Sequence, residues 1–227
     1  MGGRRGGAHG LATLDRGPPR ALWSTCKLLV RPGQRRRIVV AGTWVGSGSP
    51  SAQLNSLLAQ TPQPSRSGGG SAGYAAIMLT EAGCSGESSG ACIAKSLTPA
   101  YRQPFTATSS ILQNALPARG VHAIVHAVGQ GSAIQGMVEG GASFDAFGGA
   151  IADLEFDATA FPWRTALADI QYTATWSYVD ATENPARFDN FVQSQRSALQ
   201  PWVGASAYVN YADPALSDYA TAYWGRA

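Results

Sequence analysis

The stretch "LADIQYTATW", residues 167–176, decides the fold. Ala168, Ile170, Tyr172, Ala174 and Trp176 fall on one side of an extended chain, and Asp169, Gln171, Thr173 and Thr175 on the other. A period of two with aromatic residues on one side predicts a β-strand with that face in a core. The second face is too polar for a core. It meets either water or a polar cavity, and Asp169 and Thr173 are the candidates to line such a cavity.

Upstream, "GMVEGGASFDAFGGAIADLEF", 136–156, reads as two strands around Gly140 and Gly141. "PARGVHAIVHAVGQG", 117–131, carries Val121, Ile124, Val125 and Val128 on one helical stripe with a glycine stop. "RRIVVAGTWVG", 36–46, is a β-branched run, "PSAQLNSLLAQ", 50–60, has leucines at helical spacing, and "YAAIMLTEAG" is a short helix closed by Gly83. Between them "TPQPSRSGGGSAG", 61–73, is a loop. Downstream, Asn184 as N-cap and Pro185 open a helix through Phe188, Phe191, Val192 and Leu199. A strand "ASAYVNY" and a short helix "LSDYATAYWG" follow. This order predicts an α+β fold, an antiparallel or mixed sheet with helices packed on one face.

The 227 residues are 44% hydrophobic and 14% charged, enough for a sizeable core. The net charge of +3 comes from residues 1–36, a basic Gly/Arg/Pro-rich leader expected to be disordered, with the domain at 37–227. No aromatic or helical pattern interleaves those charges, which argues against nucleic acid. Arg4 and Arg5 precede no apolar run of the length an export signal needs, and no stretch approaches the ~18 apolar residues of a membrane span.

Cys84 and Cys92 bracket the Gly/Ser-rich "CSGESSGAC", which can bend the two sulfurs together. A local disulfide is the expectation and would imply an oxidising compartment; the alternative is two free thiols on a loop. His122 and His126 stand four apart on the 117–131 helix without a visible third ligand, and read as surface residues. No GxSxG elbow occurs. In "AYVNYAD", 207–213, Tyr211 closes a strand-like run before the turn formers Asp213 and Pro214. A phenol there is either packing or a working acid/base group.

Six segments in register, "GTWVGS" (42–47), "EAGCSG" (81–86), "SFDAFGGAIA" (143–152), "ATAFPWR" (158–164), "IQYTATW" (170–176) and "AYVNYADPAL" with "YWG" (207–225), resemble the C-terminal half of the berberine bridge enzyme-like FAD-linked oxidoreductases, in their actinobacterial form. The resemblance implies a substrate-binding domain that closes over a flavin held by another domain. It implies FAD as cofactor, a small-molecule substrate and a separate FAD-binding half as partner. The glycine-rich "GGH" loop of that other half has no counterpart here, and "RSGGGS", 66–71, reads as a linker, so the chain is expected to be a fragment. By resemblance Tyr211 is the base, Gln171 orients substrate or phenol, and Asn210 is a flavin-side contact. Gln171 stands where relatives carry Gln or a catalytic Glu, and it cannot take a proton. Trp163 replaces the usual His of an "FPHR" pattern. Two function classes follow: an oxidoreductase of alcohols, sugars or secondary metabolites, or a ligand-binding remnant without catalysis.

Overall fold

The computed structural model describes residues 21–45, 63–98, 101–177 and 185–225, with 50–52, 55 and 59 besides. Five strands form one antiparallel sheet: β1 (Leu22–Val30), β2 (Arg37–Trp44), β3 (Phe105–Leu112), β4 (Met137–Ala146) and β5 (Ala168–Trp176), in the order β2-β1-β4-β5-β3. β5 pairs antiparallel with both β3 and β4, so those two run parallel with β5 threaded between them. Two helices, α3 (Ala118–Gln130) and α4 (Ala186–Val203), cover one face, α3 against β1 and β4 and α4 chiefly against β3 and β5. The α+β architecture read from the sequence is the one observed.

The alternation in β5 holds residue by residue. Ala168, Ile170, Tyr172, Ala174 and Trp176 are all buried, packed with Val121, Ile124 and Val128 of α3 and Phe188, Phe191, Val192 and Leu199 of α4. Trp176 stacks on Phe188 with ring centroids 4.5 Å apart. Such burial contributes roughly 1.5–3 kcal/mol for each large apolar side chain.

Several expectations need correction. The leader does not extend to residue 36, because Leu22–Val30 is an interior strand paired with both β2 and β4. Cys26, Leu28 and Val30 alternate into the core, a pattern that the surrounding basic residues hid from a reading by composition. Residues 1–20 lie outside the described residues. The two strands read into 136–156 are one strand followed by a 3-10 turn, Gly149–Ile151. Gly141 does not break it. At φ 148° it lets β1 pass, since a Cβ there would stand 2.1 Å from the Leu28 carbonyl oxygen. Gly131 is no left-handed stop either: it is helical, and a side chain would collide with Val30 and Phe191. Residues 205–211 form no strand. Asn184 and most of the 50–60 helix fall outside the described residues.

Residues 63–104 form a compact unit of their own with two short helices, α1 (Tyr74–Glu81) and α2 (Ser89–Ser96). Gly83, at φ 72°, terminates the first, as expected. The Ser88 hydroxyl caps the second by accepting from the Ala91 N–H at 3.2 Å. Cys84 and Cys92 are disulfide-bonded, with Cα atoms 5.6 Å apart. Lys95 pairs with Glu87 at 2.8 Å within the same unit. "RSGGGS" is irregular chain leading towards α1. A final helix, α5 (Tyr219–Trp224), packs its Ala222 and Tyr223 on Ala207 in the larger unit.

Candidate functional site

Opposed residues of antiparallel strands share a face, so the ladder itself builds the polar side of the sheet. Asp145 of β4 stands directly opposite Asp169 of β5 and opposite Thr25 of β1. One step along, Gln171 faces Ser143 on one side and Ser109 on the other, and Thr173 faces Gly141. This side carries no helix of the α3–α4 layer. Instead, residues 206–211 run past β3 with the Ile111 N–H donating to the Ser206 carbonyl at 3.2 Å and the Tyr208 N–H to Ser109 Oγ at 2.9 Å.

That irregular segment is held from behind. The Arg196 guanidinium of α4 reaches the carbonyls of Ser109 and Ala205, at 3.1 and 3.0 Å. The Ala207 N–H donates to the Ala222 carbonyl at 2.8 Å. Asp213, buried, accepts from the Ala215 N–H at 2.8 Å and the Gln193 amide at 3.1 Å, while its own N–H donates to Tyr223 Oη at 2.8 Å. The expected turn at Asp213 is therefore real, although no strand precedes it. Tyr211 closes a turn through its N–H to the Tyr208 carbonyl, 3.0 Å.

Four rings gather here. Tyr208 meets Tyr211, Phe147 and Phe161 edge to face at 5.2, 6.2 and 5.9 Å, and Phe147 meets Phe161 at 5.4 Å. Each such pair contributes about 0.5–1.5 kcal/mol beyond area burial, so the cluster is a stiff wall. Behind it the Arg164 guanidinium lies over Phe161 at 5.2 Å and reaches Thr159. A shallow hollow of about 290 Å³ opens beside Phe161, towards Pro162 and Trp224.

Asp169 is 1% exposed, and neither carboxylate oxygen has a hydrogen-bond partner among the described residues. Burial first, then the charge of Asp145, pushes its carboxyl up to about 7. The hydroxyl of Thr25 is likewise buried and unpartnered. Tyr211 is half-buried, and its phenol is pushed above the ordinary value by burial, then by Asp169 and Asp145, and by its approach to the Asp145 carboxylate.

The structure thus brings together Tyr211 and Asp169, with Gln171 half-buried two residues along the same strand face and Thr173 two further. Asn210 is exposed, its amide donating to Tyr208 Oη at 2.7 Å. Trp163 hydrogen-bonds the Tyr223 carbonyl at 3.2 Å and so has a structural role. Cys26 is a free, partly buried thiol pushed up to about 11 by burial. His122 and His126 are exposed on α3. Sequence reasoning missed Asp145, Thr25, Tyr208, Phe147 and Phe161. The signal for Asp145 was present: Ser143 and Asp145 alternate with Phe144 as Asp169 and Gln171 do with Ile170.

No family model and no curated relative matches the chain. Solved structures do. A BBE-like protein of Arabidopsis thaliana, number 28, superposes with a TM-score of 0.75 at 20% identity, over 97% of this chain and 48% of that one. A chitooligosaccharide oxidase gives 0.70 at 16%, over 99% and 48%. Berberine bridge enzyme from Eschscholzia californica gives 0.70 at 14%, over 92% and 41%. The chain has the fold of one half of a berberine bridge enzyme-like protein. It spans somewhat less than half the length of these structures.

Proposed function

We propose that this chain is the substrate-side part of an FAD-dependent oxidoreductase that oxidises a hydroxyl of a sugar-like or secondary-metabolite substrate. The observation that carries the reading is the convergence of Tyr211, Asp169, Asp145 and Gln171 on the sheet face opposite α3 and α4. Among the solved structures of this fold are a chitooligosaccharide oxidase and a glycopeptide hexose oxidase, which supports a hydroxylated substrate.

The residues fit the ring end of a flavin and not its phosphates. Gln171 and Asn210 offer neutral amides of the kind that meet the polar edge of an isoalloxazine. The run Gly68–Gly70 lies in exposed irregular chain, and a pyrophosphate would have to be held by residues other than those described here. Flavin, when bound, supplies the hydride acceptor. The chain's own part is to hold the substrate against the aromatic wall, orient its hydroxyl through Gln171 and remove the hydroxyl proton at Tyr211.

Purified with added FAD, the chain should lose the flavin absorption on gel filtration; a retained band would contradict the division of labour. Supplied with the flavin-binding half of a BBE-like oxidoreductase, it should bleach the flavin with a hydroxylated substrate. Tyr211→Phe, which keeps the ring and removes the proton site, should slow bleaching by about 10² to 10⁴-fold without loss of flavin. Bleaching as fast in Tyr211→Phe as in the parent would place the proton acceptor elsewhere.

A further inference from the structure

The turn between β1 and β2 is tied to the end of α3. The Gly33 N–H donates to the Ser132 carbonyl at 2.9 Å, and the Ser132 hydroxyl to the Gly129 carbonyl at 2.9 Å. Beside these bonds lies a hollow of about 520 Å³, lined by Gln34, Arg35 and Arg36 of the turn and by His126, Gly129 and Gln130 of α3. Because α3 covers the face of the sheet opposite Tyr211 and Asp169, the hollow is separate from the candidate site. No acidic side chain lines it. Arg31 and Arg37, on either side, both pair with Glu139, whereas Arg35 and Arg36 have no acidic partner among the described residues. Arg36 is already held in place. Its Nη1 donates to the Val125 carbonyl at 2.7 Å, and the guanidinium lies against Gly129, where a Cβ would stand 2.7 Å from Nη1 and 3.4 Å from Cζ. Glycine within a helix costs stability, and here it makes room for a cation. The Gln130 amide lies 3.4 Å from His126 Nε2, so the rest of the lining is polar and rich in donors.

We propose that this hollow binds a phosphomonoester, with the phosphoryl oxygens between Arg35 and Arg36 and the organic part over Gln34, His126 and Gln130. Two guanidinium charges without an acid are matched by a dianion, and a phosphomonoester carries close to two charges at neutral pH where a sulfate ester or a carboxylate carries one. The planar fork of arginine fits phosphoryl oxygens two at a time. The volume exceeds what a bare ion fills, which leaves space for an organic group. A nucleic-acid strand fits less well, because it needs a positive track and Glu139 engages both flanking arginines. The site stands independently of the oxidoreductase reading.

The test uses the whole chain, labelled with ¹⁵N and titrated by NMR with phenyl phosphate at fixed ionic strength. Backbone amide and Arg Nε–H signals of residues 33–36 and 126–132 should move saturably. Phenyl sulfate, of the same shape with one charge fewer, should bind about 10-fold or more weakly. Arg35→Gln and Arg36→Gln should each weaken phenyl phosphate by about 10-fold or more. Gly129→Ala keeps every charge and suits a helix, yet its methyl group displaces the Arg36 guanidinium, and it should weaken binding by about 3-fold or more. Arg119→Gln removes an exposed charge from the other end of α3 and should leave binding unchanged. Shifts that do not saturate, that spread over the exposed cations generally, or that are equal for the two esters would mean an adventitious ion only and overturn the proposal. Equal losses in Arg119→Gln and Arg36→Gln would overturn it in favour of general attraction, and full affinity in Gly129→Ala would show that the placed guanidinium is not what binds.

Discussion

The two faces of β5 come from alternate residues of one short strand, yet they obey different rules. On one, Ile170, Tyr172 and Ala174 are fully buried under α3 and α4 and every large side chain has packing partners. On the other, Asp169 is equally buried but has no partner for its carboxylate, and the cover above it is an irregular turn of tyrosines. The helix-covered face is held by apolar burial, and its unpartnered atoms, Tyr172 Oη and Trp176 Nε1, are neutral groups on large rings and not a carboxylate. The polar face holds groups that cost stability, as functional sites characteristically do. The contrast makes the polar side of the sheet the candidate site before any ligand is considered.

The largest effect should come from the stable face. Phe188 is fully buried and stacked on Trp176. Phe188→Ala removes that ring from a site that two elements define, and should cost about 4–5 kcal/mol in denaturant unfolding. A loss below about 1 kcal/mol would mean that α4 is not fixed to the sheet as described, and the comparison of the faces would fail at its firmer half.

The polar face should show itself through pH. Asp169 titrates at about 7 in the folded chain against an ordinary 3.8. The folded state therefore binds more protons than the unfolded one between those values, and stability falls as pH rises from about 4 to about 7. The shift corresponds to roughly 3–4 kcal/mol from this residue after allowance for water reaching the group. Asp169→Asn should flatten that slope and leave the variant more stable than the parent at pH 8. A slope that persists unchanged in the variant would show that another group carries it.

How far the sequence disclosed these faces follows from the range of each signal. Alternation within β5 is local, so its strand, its buried side and its polar side were all legible. The same alternation in β1 was present but diluted by Lys27 and the flanking arginines, and averaging over 36 residues erased it. The partnership of Asp145 with Asp169 depends on strand order, which no local pattern states. Gly140 and Gly141 looked like a break because glycine usually is one, whereas here Gly141 admits the backbone of β1. Tyr211 was singled out by resemblance, but its surroundings, two acids and the ring of Tyr208, are a product of the sheet and the turn together.

The smallest effect separates an unpartnered group kept for chemistry from one kept by accident. Thr25 is 3% exposed, its hydroxyl has no partner among the described residues, and it stands opposite Asp145. Thr25→Val keeps the β-branched shape and replaces the orphaned hydroxyl with a methyl group. Removing an unsatisfied buried polar atom should stabilise the chain by about 1 kcal/mol, measured by urea unfolding at a pH where Asp169 carries its proton. If the hydroxyl instead helps to solvate the acid pair, the variant should be neutral there and destabilised at pH 8, where the carboxylate has lost a nearby dipole. Stabilisation at both pH values assigns Thr25 to the packing of the sheet and leaves Asp145, Asp169 and Tyr211 as the working group. A penalty confined to the higher pH extends that group on to β1.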